Sequence, residues 1–393
     1  MRALSILFFL TLFANQLFAS EYKHEKVQFY VDDSVKLDGM LYIPGEKPIK
    51  KVIIFFSGSG LEFKTHEDSL QYTFKLMAKL GNEGVGWFGF SSRFYKSFRP
   101  LNLFTYASDA DSAISYLRQR EDTKNCKIGI MGQSEAGMAA TVVASRNKDI
   151  DFLISVTSFM IKGPELKTYN IFSLDNNFTH INSKTIFDKF EYVLKDTFVY
   201  NNKIHINSHD LFISCMKDCL DSITRSLYSN DSIASILASN KLDIKQSINI
   251  SLVGVEIFKQ LWHVNDSLSN FKPDYKGVKT KGIIDFLVFK LFNPHDIAFM
   301  QWNPEKYFSR ITVPTLVLLA DKDGLMPFKE NLTGINDIVL KYNKKNITIK
   351  VFKNHTHGLV TPKKLDESDI SLNKSETPNK TANWISNWIE RQK

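Results

Sequence analysis

The stretch Lys127-Ile128-Gly129-Ile130-Met131-Gly132-Gln133-Ser134-Glu135-Ala136-Gly137 decides how this chain folds. Its first five residues make an apolar run suited to a strand buried on both faces. The residues from about Ala136 to Ser145 make a helix rich in small side chains. Between them the backbone must turn so sharply that Ser134 is forced into strained geometry, and the side chains two positions away on either side must be tiny. Gly132 and Ala136 meet that demand, although Ala136 stands where the pattern G-x-S-x-G has its second glycine. The competing reading is an ordinary strand-to-helix turn with Ser134 as N-cap, which needs no such narrowing of residue size.

On either side of this elbow, strand and helix signals alternate. Lys26 to Val31 and Val35 to Tyr42 alternate apolar and polar residues around Asp32-Asp33-Ser34, which predicts an antiparallel hairpin. Lys51 to Phe56 and Val85 to Phe90 are continuous apolar runs, and Phe152 to Val156 is another. Helical spacing joins Leu70, Phe74, Met77 and Ala78, and again Ala110, Ala113, Ile114 and Leu117. Such alternation predicts an α/β fold with a mostly parallel central sheet and helices on both faces. From about Ser158 to Phe299 it stops, and helical stretches appear near Ile186 to Leu194, Asp210 to Leu227 and Ile250 to Trp262. It resumes with Pro314 to Ala320, a helix near Lys329 to Tyr342, the strand Ile347 to Phe352 and an amphipathic terminal helix carrying Trp384, Ile385, Trp388 and Ile389. Polar Thr361 to Lys380 reads as a long surface loop. The organisation predicted is a core over residues 20–158, a mainly helical cap over 159–300 and the rest of the core over 301–393.

If Ser134 is a nucleophile, its hydroxyl needs a base oriented by a carboxylate. Candidates lie downstream. Asp321-Lys322-Asp323-Gly324 follows a buried strand, at the carboxyl edge where ligand sites of parallel sheets collect. His355-Thr356-His357 follows the next strand. An His-x-His pair can also ligate zinc, but no H-E-x-x-H or H-x-H-x-D-H pattern accompanies it.

With these residues in view, the chain resembles a bacterial α/β-hydrolase of the esterase, thioesterase and acylaminoacyl-peptidase-like group. Gly58-Ser59-Gly60 matches that group's turn after the third strand. Asn303-Pro304 through Asp323 echoes its D-P-x-x-x-L-x-x-I-x-x-P-V-L-x-L-x-G-x-x-D pattern, and Val351 to Leu359 echoes V-F-P-N-A-x-H-G-L. A y-D-x-R-G-x-G-x-S turn is kept only at Arg93 and Ser97, with Ser91-Ser92 and Phe94 as departures. The likeness spans Val35 to Thr157 and Gln301 to Trp388 and leaves the cap uncovered. It implies an α/β-hydrolase fold and a triad of Ser134, Asp323 and His357, with Asp321 and His355 as solvated loop neighbours. The oxyanion formed on attack needs two N–H donors, expected from Glu135, which follows the nucleophile, and from the Ser57 to Leu61 turn, where Ser59 is favoured.

The remaining features bound the class. The 393 residues are 43% hydrophobic and 23% charged, which suits a globular protein and excludes disordered or collagenous chains. A net charge of +8 is spread among acidic and aromatic residues, so no nucleic-acid partner is expected. Cys126, Cys215 and Cys219 are too few for a disulfide framework and read as buried free thiols. Met1-Arg2, the apolar run Ala3 to Ala14 and Leu17-Phe18-Ala19 predict a signal peptide over residues 1–19 and export to the periplasm or medium. That run is shorter than the about 20 residues of a membrane-spanning helix, so no span is expected after cleavage, although an uncleaved anchor is the alternative. The triplet Asn354-His355-Thr356 would place a glycan against the proposed base, which favours a non-glycosylating bacterium.

The function expected is a serine hydrolase acting on an uncharged, small-molecule acyl ester through an acyl-enzyme, with no cofactor and no metal. Cap aromatics such as Phe159, Phe198, Phe212, Phe258 and Trp262 supply an apolar lining. Thioesterase, peptidase or acyltransferase chemistry on the same triad is the near alternative. A catalytically silent binding protein on this fold is the distant one. No feature sets the oligomeric state.

Overall fold

A computed structural model describes residues 22–32, 35–45, 47–56, 71–91, 93, 102–172, 197–200, 203–206, 209–238, 294–361 and 377–392, with short pieces between 249 and 261. The predicted signal peptide, the Gly58-Ser59-Gly60 turn and the helix near Ile186 to Leu194 lie outside them.

The hairpin is β1 (Tyr22–Asp32) against β2 (Val35–Pro44). The remaining core strands are β3 (Lys51–Phe56), β4 (Val85–Phe90), β5 (Lys127–Gln133), β6 (Phe152–Val156), β9 (Thr315–Ala320) and β10 (Ile347–Phe352). They form one eight-stranded sheet in the order β1-β2-β4-β3-β5-β6-β9-β10. Beyond the antiparallel β1/β2 and β2/β4 pairs, every neighbouring pair is parallel. The doubly wound α/β architecture predicted from the alternation is the one observed, and β5 sits centrally between β3 and β6.

The apolar runs do what a strand buried on both faces requires. Val52, Ile54 and Phe56 of β3 join one core with Phe88, Phe90, Ile128, Ile130 and Leu153, while Ile53 and Phe55 join the other with Trp87, Met131, Phe152 and Ile154. The first core is roofed by α2 (Leu103–Gln119) and α3 (Glu135–Ala144), and the second by α1 (Gln71–Leu80) and α10 (Asn379–Glu390). Each fully buried Leu, Ile or Phe on either face contributes about 1.5–3 kcal/mol of transfer free energy. Gly84, at φ 76°, takes the left-handed position that ends the short 3-10 turn after α1. Helix α2 begins further upstream than the periodicity indicated, because Asn102 caps it by accepting from the N–H groups of Phe104 and Thr105.

In the region read as a cap, the described residues form α4 (Gly163–Phe172), a small hairpin of β7 (Thr197–Tyr200) and β8 (Lys203–Ile206), α5 (His209–Ser229), α6 (Asp231–Ala238) and α7 (Pro294–Met300). The hairpin was not anticipated from the sequence, because Thr197 to Ile206 carries too few residues to show a period. Helix α5 carries Cys215 and Cys219 one turn apart, both buried and, like Cys126, outside any disulfide. Phe159 packs edge-on to Phe299 in the core and accepts at its carbonyl from Trp302 Nε1. Two further helices complete the C-terminal part, α8 (Pro304–Phe308) and α9 (Phe328–Lys341). Of the predicted surface loop, residues 362–376 lie outside the described residues, and Asn379 and Lys380 belong to α10. Among the described residues no helix is long and apolar enough to cross a membrane.

Candidate active site

The turn between β5 and α3 has the strain that its residue sizes imply. Ser134 sits at φ 57°, ψ −126°, a conformation that a non-glycine residue holds only when its surroundings over-determine it. It occupies the N-cap position yet makes no side-chain cap hydrogen bond, so the ordinary N-cap reading of this serine does not hold. Its N–H donates to the Val156 carbonyl at 2.9 Å, and its carbonyl accepts from the Gly137 N–H at 3.0 Å. A Cβ on Gly132 would lie 2.2 Å from the Ala136 carbonyl oxygen, and one on Gly137 would lie 2.5 Å from Ser158 Cβ. Small residues are therefore compulsory on both sides of Ser134.

Asp323 and His357 come from the loops after β9 and β10, adjacent parallel strands whose carboxyl ends bring their loops together. His357 Nδ1 lies 2.8 Å from Asp323 Oδ2, and the Asp323 side chain is 3% exposed. The other carboxylate oxygen accepts from the Leu325 N–H at 3.0 Å. With the imidazole proton on Nδ1, this bond leaves Nε2 unprotonated and fixes the plane of the ring.

Two side chains secure the backbone of that histidine against the elbow. Gln133 Nε2, from the residue before Ser134, donates to the His357 carbonyl at 3.0 Å, and Thr157 Oγ1 donates to the same oxygen at 2.8 Å. Neither was singled out from the sequence. Thr157, at the carboxyl end of β6, has φ 39°, a costly value for a β-branched residue.

The expectation that His355 is solvated is corrected, whereas Asp321 is partly exposed. His355 is 2% exposed, packed at a tilt against the Phe352 ring, with Nδ1 2.7 Å from the Lys353 carbonyl and Nε2 2.8 Å from Thr381 Oγ1 of α10. Burial lowers its pKa below the usual imidazole value. The His355 ring thus bonds α10, while the His357 ring bonds Asp323. Asp321 accepts from the Asn354 N–H at 2.6 Å, and Lys322 N–H donates to the His355 carbonyl at 2.9 Å, so these groups tie the two loops together.

Glu135, the first residue of α3, is buried, and its carboxylate meets His295 Nε2 of α7 at 2.8 Å. The Glu135 charge, followed by weaker contributions from Asp296, raises the His295 pKa to about 10. Asp296 is in turn paired with Lys167 of α4. Burial alone pushes the Asp296 carboxyl up, and the charges of Lys167 and His295 more than reverse it. Nothing in the local sequence marks His295.

Arg93, kept from the family turn, forms a fully buried pair with Asp109 of α2, its Nε 2.9 Å from Oδ1. A signal for this pair did exist. Asp109 lies on the same helix face as buried Tyr106, Ala110 and Ala113, where a carboxylate demands a partner. Tyr106 is pushed up by burial and by the charges of Glu135 and Asp109. Ser59, the other residue assigned to oxyanion binding, lies outside the described residues. Among the described residues no three His, Cys, Asp or Glu side chains gather in a way that could hold a metal ion.

Residues 110–217 match the family described as BAAT / Acyl-CoA thioester hydrolase C terminal, a match that includes the elbow. Among solved structures, Est1E from Butyrivibrio proteoclasticus is 12% identical, with 93% of this chain and 98% of that chain covered at a TM-score of 0.46. An esterase of Pyrococcus furiosus is also 12% identical, covering 95% and 92% at 0.46. The uncomplexed acylaminoacyl peptidase of Pyrococcus horikoshii is 12% identical, covering 95% of this chain and 42% of that one at 0.47. No curated protein matches the chain.

Proposed function

We propose that this chain, an α/β-hydrolase, is an exported serine hydrolase that cleaves ester-type acyl substrates through an acyl-enzyme. The observation that carries the reading is the hydrogen bond from His357 to the buried Asp323, made by a histidine whose backbone is tied to the residue preceding Ser134. Ser134 Oγ attacks the acyl carbon and passes its proton to His357 Nε2. The tetrahedral oxyanion is met by the Glu135 N–H and a second donor from the Ser59 turn. On collapse, His357 returns the proton to the departing alkoxide, leaving an ester to Ser134. Water, deprotonated by the same nitrogen, then hydrolyses that ester to release the acid and regenerate the serine. Asp323 holds the imidazole in the tautomer that exposes Nε2 throughout.

Labelling by a fluorophosphonate probe, with Ser134→Ala as control, tests this. The wild type is expected to be labelled and to hydrolyse p-nitrophenyl esters, and the variant to do neither. A wild type that is never labelled and cleaves no short ester sinks the reading. The aromatic content of residues 159–300 favours uncharged acyl groups of short to medium length. At about 0.8 kcal/mol per buried methylene, rates along an ester chain-length series should rise and then fall.

The match to a thioester hydrolase family favours a second reading, in which a thioester is the natural substrate. Oxoester and thioester pairs of equal acyl length decide between them by kcat/KM. Export is read from the apolar run Ala3 to Ala14 and the small residue Ala19. A mature N-terminus near Ser20, found by mass spectrometry of extracytoplasmic protein, is the expected result.

A further inference from the structure

Glu135 has two parts to play at the elbow, and only its backbone is accounted for by the chemistry proposed above. Its side chain is a buried carboxylate on the residue directly after Ser134. A buried charge of this kind persists only if paired. The pairing comes from His295, whose helix α7 packs against α2, α4 and α5. The second ring nitrogen of His295 lies 3.5 Å from Asp296 Oδ1, and Lys167 of α4 closes the series. Charges thus alternate from Glu135 through His295 and Asp296 to Lys167, linking α3, α7 and α4 with no net excess.

This series has a mechanical consequence. The peptide between Ser134 and Glu135 is free of any side-chain cap, and its plane sets where the Glu135 N–H points. That plane turns with ψ of Ser134 and φ of Glu135. Anchoring the Glu135 side chain at its far end restrains the second of these angles.

We propose that His295 is a positioning residue that, through its ion pair with Glu135, aims the first backbone N–H of α3 at the oxyanion. The inference rests on the serine hydrolase reading. An oxyanion donor contributes only if it is aimed before the charge develops, and loss of one costs on the order of 100-fold or more in kcat. Partial misalignment therefore costs about tenfold or more.

The test uses the full chain and p-nitrophenyl butyrate. His295→Gln and His295→Ala are expected to lower kcat at least tenfold while KM changes less than threefold, and to slow fluorophosphonate labelling in parallel. Glu135→Gln alone should show a similar loss. The double variant Glu135→Gln/His295→Gln restores a neutral side-chain contact and should recover part of kcat. His295 is partly exposed, so the Gln variant retains its fold even where the Ala variant does not. Variants that melt earlier but keep the wild-type kcat overturn the inference and leave the hydrolase reading standing. An inert, unlabelled wild type overturns both.

Discussion

Thr157 donates its hydroxyl to the carbonyl oxygen of His357 at 2.8 Å, from a backbone held at φ 39°. The two residues are 200 positions apart, yet this bond and the one from Gln133 leave the histidine loop little freedom to move relative to the elbow. The strain at Thr157 is retained because its neighbours over-determine it, with Val156 fixed in β6 and the Thr157 N–H donating to the Leu318 carbonyl of β9 at 2.8 Å.

Thr157→Val keeps the branched shape and deletes only the hydroxyl. A neutral hydrogen bond contributes about 1 kcal/mol, so kcat should fall roughly fivefold, with Thr157→Ser staying near wild type. Steady-state kinetics of both variants make the comparison. A Val variant as fast as the wild type would show that Gln133 alone holds the carbonyl.

His357→Ala should remove the base and lower turnover by several orders of magnitude. His355→Ala should leave turnover of the folded protein nearly intact while costing about 2 kcal/mol of stability, because its ring bonds Thr381 and packs against Phe352. Asp323→Asn should cost about 10⁴-fold, and Asp321→Asn far less. Kinetics paired with thermal melts separate the two kinds of loss. Similar kinetic penalties within either pair would show that the wrong members have been assigned.

His355 also predicts an acid limit. Its folded pKa is lowered by burial, so the unfolded chain takes up a proton that the native chain resists. The sign follows: stability is unaffected at alkaline pH and declines as pH falls below the unfolded value of about 6.5. Lys380 adds to the lowering and Asp321 opposes it. Denaturant midpoints measured from pH 8 to 5 should fall less steeply for His355→Asn than for wild type, after allowance for its lower starting stability. Parallel profiles would remove His355 as the cause.

Arg93→Ala should strand the Asp109 carboxylate in a fully buried position and cost about 3–5 kcal/mol. Replacing both partners by apolar residues, as in Arg93→Met/Asp109→Leu, should recover much of that. Urea unfolding of the single and double variants reads the difference. A double variant no better than Arg93→Ala would mean that the pair has further polar obligations, of which nearby Tyr106 is the foremost candidate.

Much of this protein is legible from local pattern. Apolar runs at Lys51, Val85, Lys127, Phe152 and Thr315 become the strands of a two-sided core because alternate side chains face opposite layers, which is a property of each strand by itself. The small residues Gly132, Ala136 and Gly137 announce a sharp elbow because steric exclusion acts over a few residues. The resemblance of the motifs around residues 323 and 357 points to Asp323 and His357, the two that share a hydrogen bond, and not to Asp321 and His355.

Tertiary structure alone decided the rest. That His355 turns into α10, that Gln133 and Thr157 seize the His357 carbonyl, and that His295 answers the charge of Glu135 are contacts between residues far apart in the chain. No period or spacing encodes them. They exist because the carboxyl ends of parallel strands bring distant loops to one edge, where a buried polar group must find its partner among whatever the fold delivers there.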